Sequence, residues 1–317
     1  MIEKILRTRV NSLSSWLVGF VCGATILIAL EHGYEGSWYL LSTMMHRPQV
    51  APPAFGYRIL FPLLAAQLQK VLPSLTDHNC FTAVQAAIIA VTVYLSGAWA
   101  TLFHPKHGRL LGYALLALMV CPTIDYWTFY DIAIVGFWTF CFLLLHHRRF
   151  LSYMAMLAVA TLNHENILLI IPCAVAYNWG RMRASRLICF AAAQVAVWAG
   201  VRFMVTFLVP AGRLFDNRLW ENVVFWRHYS LVSILSAWAI LIPWWLIAWL
   251  GWEYAPRLLR CSAISLPGLL LVTMLFGRFD EARQFAAFIP TCIGLIACWL
   301  RYETGGKDTA PASMAAS

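Results

Sequence analysis

The sequence is poor in charge. Asp, Glu, Lys and Arg make up 12% of its 317 residues, against 61% hydrophobic residues, whereas roughly a quarter of a soluble domain is charged. This composition excludes an ordinary water-soluble globular protein. Apolar runs of membrane-spanning length recur along the chain, so the sequence predicts an all-α, polytopic helical membrane protein.

Several signatures of other protein classes are missing as well. The nine Cys form no CxxC pair and no Cys/His metal spacing, and most lie inside apolar runs, which predicts small lipid-facing or core residues. Lys4, Arg7 and Arg9 precede an apolar run, but no small-residue cleavage site follows, which predicts a retained first helix rather than a signal peptide. The net charge of +9 is attributed to basic loops between membrane segments, so no nucleic-acid partner is expected.

Ten apolar segments are predicted to cross the membrane. Two longer runs, 110–146 and 150–179, are broken by polar residues and are predicted to form helical hairpins with their tips in a cavity, since irregular backbone at membrane depth needs protein or water around it. The predicted segments are 13–30, 81–103, 110–122, 128–146, 150–162, 166–179, 187–209, 229–251, 261–276 and 284–300.

The segment 58–73 decides the sidedness of everything that follows it. It has about 16 residues, carries Arg58, Gln67, Gln69 and Lys70, and contains two prolines. If it does not cross, the basic loops around 104–109, 147–149 and 181–186 all lie on the cytoplasmic side, as the positive-inside rule requires. We therefore expect 58–73 to be an amphipathic helix on the outer face, with 37–45 as a second one.

This topology places most of the acidic residues at the outer face. Four polar motifs open there: EHGYE from Glu31, TIDYWTFYD ending at Asp131, NHEN around Glu165, and GRFDEAR between 277 and 283. Membrane proteins often expose acids outside, and that explanation covers part of the pattern. It fits less well with Asp131, Glu165 and Arg202, because ionisable groups inside apolar segments are candidates for function and are commonly paired with one another.

The polar stretch 31–58 follows the first apolar run directly and predicts the start of an active site, with a solvated loop as the alternative. A carboxylate at a membrane–water boundary can act as a general base on an acceptor hydroxyl. Arginine near the end of a helix can hold a phosphate by charge-assisted hydrogen bonds, or can simply anchor the helix at the interface. Asp131 and Glu165 have a structural alternative too, since acids stabilise helix N-termini.

Several motifs resemble those of the GT-C superfamily of polyprenyl-phosphate-sugar-dependent glycosyltransferases. EHGY at 31–34 is similar to a degenerate form of the acidic motif that opens the first outer loop there. FGYRILFPL at 55–63 is similar to a Tyr-Arg-x-Leu-x-Pro-Leu segment of such multi-spanning bacterial proteins. Tyr130-Asp131 and NHEN at 163–166 look like that family's acid at the start of a helix and its hairpin tip. The likeness covers roughly residues 1–209.

The resemblance implies a GT-C-like membrane glycosyltransferase. It would move a sugar from a polyprenyl-phosphate donor to a cell-envelope glycan or lipid acceptor, at the outer face of a bacterial inner (plasma) membrane, with a cytoplasmic N-terminus. It implies Glu31 as the catalytic base, with Glu35 as its competitor. Some relatives use a divalent cation, but no spacing here fixes a metal site. The substrate-binding candidates are Tyr57, Arg58, Asp131, His164, Glu165, Arg202, Arg278, Glu281 and Arg283.

Two other functions stay open at this stage. A transporter or flippase of a lipid-linked or anionic solute would line its path with similar charges, although no internal repeat is evident. A non-catalytic subunit of a glycan-assembly system would keep the fold without the chemistry. The predicted organisation is a GT-C-like module at 1–209 with its outer loop at 31–80, C-terminal membrane helices at 210–300, and a disordered cytoplasmic tail at 301–317.

Overall fold

Helices are the dominant secondary structure in the described residues, as the sequence predicts. The computed structural model describes residues 2–33, 38–48, 58–122, 131–209, 219–224, 227, 230–278 and 281–305, and no strand occurs in these ranges. Two of the predicted site residues, Glu35 and Tyr57, lie outside them. So do the predicted hairpin tip at 123–130 and most of the predicted tail, 306–317.

The chain folds into helices joined mostly by short turns. Its first half contains α1 (Ile2–Gly33), α2 (Trp38–His46), α3 (Leu60–Val71), α4 (Asp77–Phe103), α5 (Gly108–Val120), α6 (Asp131–His146) and α7 (Phe150–Asn163). A 3₁₀ helix, Glu165–Leu169, then leads into the second half. That half contains α8 (Ile170–Asn178), α9 (Ala184–Leu208), α10 (Leu219–Val223), α11 (Leu231–Leu250), α12 (Arg257–Ser262), α13 (Ser265–Phe276), a 3₁₀ helix Ala282–Phe288 and α14 (Ile289–Gly305).

Five segments are long and apolar enough to cross a membrane: Leu13–Glu31, Asp77–Phe103, Ala184–Leu208, Arg257–Phe276 and Arg283–Thr304. The remaining predicted segments coincide with shorter apolar helices, namely Gly108–Val120, Asp131–His146, Phe150–Asn163, Glu165–Asn178 and Ile234–Leu250. A helix of 13–16 residues is about 20–24 Å long, less than the roughly 30 Å hydrocarbon core. Five helices are therefore long enough to cross a membrane, and the number of about ten membrane-spanning helices stays a prediction.

The two ends of the helix bundle differ in charge. At one end, hereafter the acidic end, lie the contacts of Glu31 with His78, Arg58 with Glu165 and Arg283 with Asp131. At the other, the basic end, Tyr254 stacks on Tyr302 and His104 contacts Thr304. The basic end also holds the turns between α4 and α5, α6 and α7, and α8 and α9, which carry Lys106, Arg148, Arg149, Arg181 and Arg183.

The doubtful segment 58–73 forms α3, which has 12 residues and is thus about 18 Å long. It buries Phe61, Pro62 and Ala65 and returns to α4 through the turn 72–76, where the Thr76 side chain accepts a hydrogen bond from the Asn79 N–H. Such a helix is too short to reach the basic end. Its predicted position on the outer membrane face remains a prediction.

Glycine sets the closest helix contacts near the basic end. A Cβ added to Gly112 of α5 would lie 2.2 Å from the Ser96 backbone oxygen of α4, and one added to Gly251 would lie 1.9 Å from that of Leu295. Any larger residue would push these backbones apart. Close approach at small residues is the common packing mode in membranes, where no hydrophobic effect drives helices together.

Two boundaries differ from the predicted ones. The segment 261–276 is the second part of a broken helix, because α12 ends at Ser262 and α13 begins at Ser265. Helix α14 continues to Gly305, so the first residues of the predicted disordered tail are helical. The predicted break at Asn163–Asn166 is confirmed, since α7 ends there and a 3₁₀ turn begins.

Candidate functional site

Two arginines converge on one carboxylate at the acidic end. The Arg58 guanidinium donates from Nη2 to Glu165 Oε1 at 2.8 Å, and Arg202 Nη1 lies 3.9 Å from Glu165 Oε2. The side chains of Arg58 and Arg202 are only 10% and 7% exposed. Three separate segments thus supply one buried ion cluster: the approach to α3 at Arg58, the tip of the α7–α8 hairpin, and α9.

Local hydrogen bonds hold the hairpin tip in place. His164 leaves the helical conformation, and its Nδ1 accepts a hydrogen bond from the Asn166 N–H at 3.1 Å, so it caps the 3₁₀ turn that begins at Glu165. Since Nδ1 is an acceptor, the proton of the neutral imidazole is on Nε2. Trp198 of α9 donates from Nε1 to the Glu165 backbone oxygen at 3.3 Å. These hydrogen bonds fix the backbone at Glu165 and so set the position of its side chain.

A second ion cluster joins the start of α6 to the 3₁₀ helix before α14. Arg283 Nη1 lies 3.6 Å from Asp131 Oδ2, and Arg283 Nη2 lies 3.0 Å from Glu281 Oε2. Gln284 donates to the same Glu281 oxygen at 2.8 Å, and Arg278 Nε lies 3.7 Å from Glu281 Oε1. Arg278, Glu281 and Arg283 neutralise one another within one short segment. The contact of Arg283 with Asp131 also links this segment to α6.

The register of two parallel helices gives the depth of this cluster. A Cβ on Gly136 of α6 would meet Thr92 Oγ1 of α4 at 2.5 Å, and Phe142 of α6 stacks on Trp99 of α4. Both pairs place Asp131 level with residues 87–88 of α4, about 15 Å along that helix from Asp77 at 1.5 Å per residue. The short helix α6 thus presents its polar end about 15 Å below the acidic-end terminus of the long helix α4.

Glu31 ends the apolar part of α1 and lies nearer than Asp131 to the start of α4 at the acidic end. Its Oε1 accepts a hydrogen bond from Thr82 Oγ1 at 2.6 Å, and its Oε2 lies 3.4 Å from His78 Nε2. The Glu31 side chain is 24% exposed. His78 and Thr82 precede the level of Asp131 by roughly 10 Å along α4, so Glu31 stands above the ion clusters rather than among them.

The sequence interpretation missed one carboxylate. Asp77 at the start of α4 accepts hydrogen bonds from Ser42 of α2 at 2.6 Å and from Gln69 of α3 at 2.8 Å, and its Oδ2 lies 3.0 Å from His46 Nε2. This single side chain links α2 and α3 to α4. Its position just after the capping residue Thr76 marks it as a helix-terminal acid, but nothing in the local pattern reveals its partners in α2.

The site is charged enough to bind an anion. In the described structure, four guanidinium groups (Arg58, Arg202, Arg278, Arg283) face three carboxylates (Asp131, Glu165, Glu281). Beside them, the buried Oδ1 of Asn166 accepts no hydrogen bond from the described residues. It can therefore accept one from water or from a ligand. No group of three or more His, Cys, Asp or Glu suited to a metal ion occurs in the part of the chain that the structure describes.

Comparison of the chain with models of protein families, with curated proteins and with solved structures finds no match. The fold defines the class: an α-helical protein with several helices fit to cross a membrane. The described site adds two largely buried clusters of ion pairs at one end of the bundle.

Proposed function

We propose that the protein is a membrane glycosyltransferase. It would transfer a sugar from a polyprenyl-phosphate donor to a cell-envelope glycan or lipid acceptor at the outer face of a bacterial inner membrane. The observation that carries the proposal is the convergence of Arg58, Arg202 and Glu165, from three segments, in one largely buried ion cluster at the acidic end. The GT-C-like motifs of the sequence agree with it, and the basic loops at the opposite end favour a cytoplasmic position for that end.

The arginines suit the phosphate of the donor. A guanidinium binds phosphate oxygens by charge-assisted, often bidentate hydrogen bonds, and these are strongest where water is scarce. The ion pairs with Glu165 fix the positions of both arginine side chains. When the phosphate arrives, it competes with one carboxylate for two cations, and the cluster then stabilises the negative charge that develops on the leaving group.

Glu31 suits the acceptor side of the reaction. It would take the proton of the acceptor hydroxyl as that oxygen bonds to the anomeric carbon, while the bond from this carbon to the phosphate oxygen breaks. The polyprenyl phosphate leaves with the electron pair, next to Arg58 and Arg202. In this scheme the sugar lies between Glu31 and the two arginines.

The charge distribution favours an enzyme over a transporter. Buried charged or histidine side chains of the described residues are Arg58, Asp131, His164 and Arg202 at the acidic end and His104 at the basic end. Between these ends the described core buries no charged or histidine side chain, and its buried polar groups there, such as Thr139 and Gln194, are uncharged. A path for an anionic solute would need cationic groups across that layer.

The test separates binding from chemistry. Purified protein in lipid nanodiscs is titrated with a short-chain polyprenyl phosphate, and transfer from the matching sugar-loaded donors is assayed with wild type, Arg202→Gln and Glu31→Gln. We expect Arg202→Gln to weaken binding about tenfold, the loss of one charge-assisted contact, and Glu31→Gln to bind normally but transfer nothing. Arg186→Gln, at the exposed start of α9, is the control. The proposal is wrong if the wild type does not bind the polyprenyl phosphate, or if Glu31→Gln transfers at the full rate.

A further inference from the structure

An apolar groove runs between α1 and α4 on the side of the bundle away from the ion clusters. It encloses about 410 Å³, within the range of roughly 300–1,000 Å³ typical of sites for small molecules. Its wall and rim side chains are apolar or aromatic, and several of them, including Trp16 and Phe20, are exposed at the surface that would face lipid. The lining residues are Trp16, Gly19, Phe20, Gly23, Ala24, Leu27, Ala86, Ile89, Ala90, Val93, Tyr94 and Tyr113.

Small residues keep this groove open, and an aromatic ring forms its floor. Gly23 and Ala24 of α1 face Ala86 and Ala90 of α4 across it. A Cβ on Gly19 would lie 2.9 Å from Cε2 of Tyr113, so the buried Tyr113 ring from α5 fills the space beneath α1. Because that ring is fixed by packing, the groove is a built feature of the fold rather than a gap between two loosely associated helices.

The groove is long enough for most of one hydrocarbon chain. From Trp16 to Leu27 it follows eleven helical residues, which corresponds to about 16 Å, and from Trp16 to Glu31 the distance along α1 is about 22 Å. The end near Trp16 is closed by the stack of Trp16 on Tyr94, whose rings are 6.2 Å apart.

The open end of the groove leads to the proposed base. Leu27 lies one helical turn before Glu31, and Ala86 one turn after Thr82, and it is Thr82 that donates to Glu31 at 2.6 Å. Each carboxylate oxygen can accept more than one hydrogen bond. A chain in the groove would therefore place its polar head at a carboxylate that accepts hydrogen bonds and attracts donor groups.

We propose that this groove seats one hydrocarbon chain of the acceptor, which is thus an amphiphilic membrane lipid with a hydroxyl-bearing head group presented to Glu31. The inference rests on the proposed function for the donor and the reaction. The hydroxyl proton passes to Glu31, the hydroxyl oxygen bonds to the anomeric carbon, and the donor phosphate leaves with the electrons of the broken bond. A free glycan acceptor would have no use for the groove.

The glycines of the chain offer a matched pair of variants. Gly23→Leu adds an isobutyl group to the groove, and its Cβ would meet Ile89 at 3.7 Å, an ordinary contact that the fold tolerates. Gly200→Leu adds the same group to α9 at a position with nothing within 4 Å. Thermal unfolding in detergent checks that both variants fold, and Ala90→Leu replaces Gly23→Leu if that variant does not.

The probe is phosphatidylglycerol with a diazirine near the middle of one acyl chain, which carries head-group hydroxyls and is photolysed in nanodiscs. We expect labelled peptides from α1 and α4 to exceed those from α9, and Gly23→Leu but not Gly200→Leu to reduce that labelling to the level of α9. Equal labelling of the three helices, or labelling unchanged by Gly23→Leu, would overturn the inference. The labelling needs no sugar donor, so a labelled groove in a protein that transfers nothing contradicts the proposed function alone. Transfer to a water-soluble acceptor that is indifferent to Gly23→Leu contradicts the lipid acceptor alone.

Discussion

Arg58 and Glu165 are joined across 107 positions of sequence by a hydrogen bond of 2.8 Å between Nη2 and Oε1. A second, longer contact of 3.5 Å joins Arg58 Nε to Glu165 Oε2. The pair connects Arg58, two residues before α3, to the tip of the α7–α8 hairpin, and so links the start of α3 to the helix bundle. The proposed phosphate site depends on this link.

Removing the charge of Glu165 should destabilise the protein. Glu165→Gln keeps the shape of the side chain but leaves the buried guanidinium groups of Arg58 and Arg202 without its charge, and we expect a loss of about 3 kcal/mol. Thermal unfolding in detergent measures it. Glu303→Gln, at an exposed site of the basic end, is the matched control. An unchanged unfolding midpoint for Glu165→Gln would show that the ion cluster contributes nothing to the fold.

Arg283 should matter more than its neighbour Arg278. Arg283→Gln removes the cation that lies 3.6 Å from Asp131, whose side chain is 3% exposed, whereas Arg278 is 42% exposed and lies 3.7 Å from Glu281. Exposed pairs contribute about 0–1 kcal/mol, while a buried carboxylate that loses its cation costs several times more. We therefore expect Arg283→Gln to lower the thermal midpoint clearly and Arg278→Gln hardly at all. Equal effects of the two variants would contradict the burial argument.

Asp77 should control the order of the juxtamembrane helices. Asp77→Ala removes the acceptor of Ser42, Gln69 and His46 together, so α2 and α3 lose their polar link to α4. We expect amide hydrogen exchange in α2 and α3 to speed up about tenfold, which corresponds to roughly 1.4 kcal/mol of local stability, with little change in α6. Mass spectrometry of exchanged peptides measures this, with the exposed Asn79→Ala as control. Exchange that rises throughout the bundle would mean that Asp77 supports the whole fold instead.

The basic end should be sensitive to acid. Burial lowers the pKa of His104 below its ordinary value of 6.5, and the nearby His107, Arg301 and Lys106 act in the same direction. Between this lowered pKa and 6.5 the unfolded chain binds a proton that the folded chain does not, so stability falls as the pH drops below about 6.5. Thermal midpoints from pH 8 to pH 5 measure the effect. We expect His104→Asn to flatten that decline, and a decline as steep as that of the wild type would assign it to other groups.

Part of this architecture could be predicted from sequence. The apolar runs predict the positions of helices because a bilayer requires continuous hydrocarbon-compatible stretches. The NHEN motif predicts the break between α7 and α8, since consecutive polar side chains interrupt an apolar helix at membrane depth. The choice of Asp131, Glu165 and Arg202 as candidates came from the rule that ionisable residues in membrane segments are rare and commonly paired. Arg58 was chosen as an arginine able to bind a phosphate.

The partners within the site could not be predicted. Arg58 and Arg202 were expected at a phosphate, and the structure without ligand shows them on Glu165. Arg283 was expected at the substrate, and the structure places it 3.6 Å from Asp131. Asp77 was not a candidate at all. In each case the partner lies on another helix, and sequence spacing carries no information on which helices pack together.

The sequence by itself determined the class of the protein, the positions of its helices and the concentration of acidic groups at one end, because these follow from composition and segment length. Tertiary structure alone decided which charges meet, how deep they lie, and that a groove opens between α1 and α4 toward Glu31. The physical reason is that these helices are apolar on nearly every face. Such helices have no polar stripe to fix their rotation, so their neighbours are chosen by the fit of small residues such as Gly112 against Ser96.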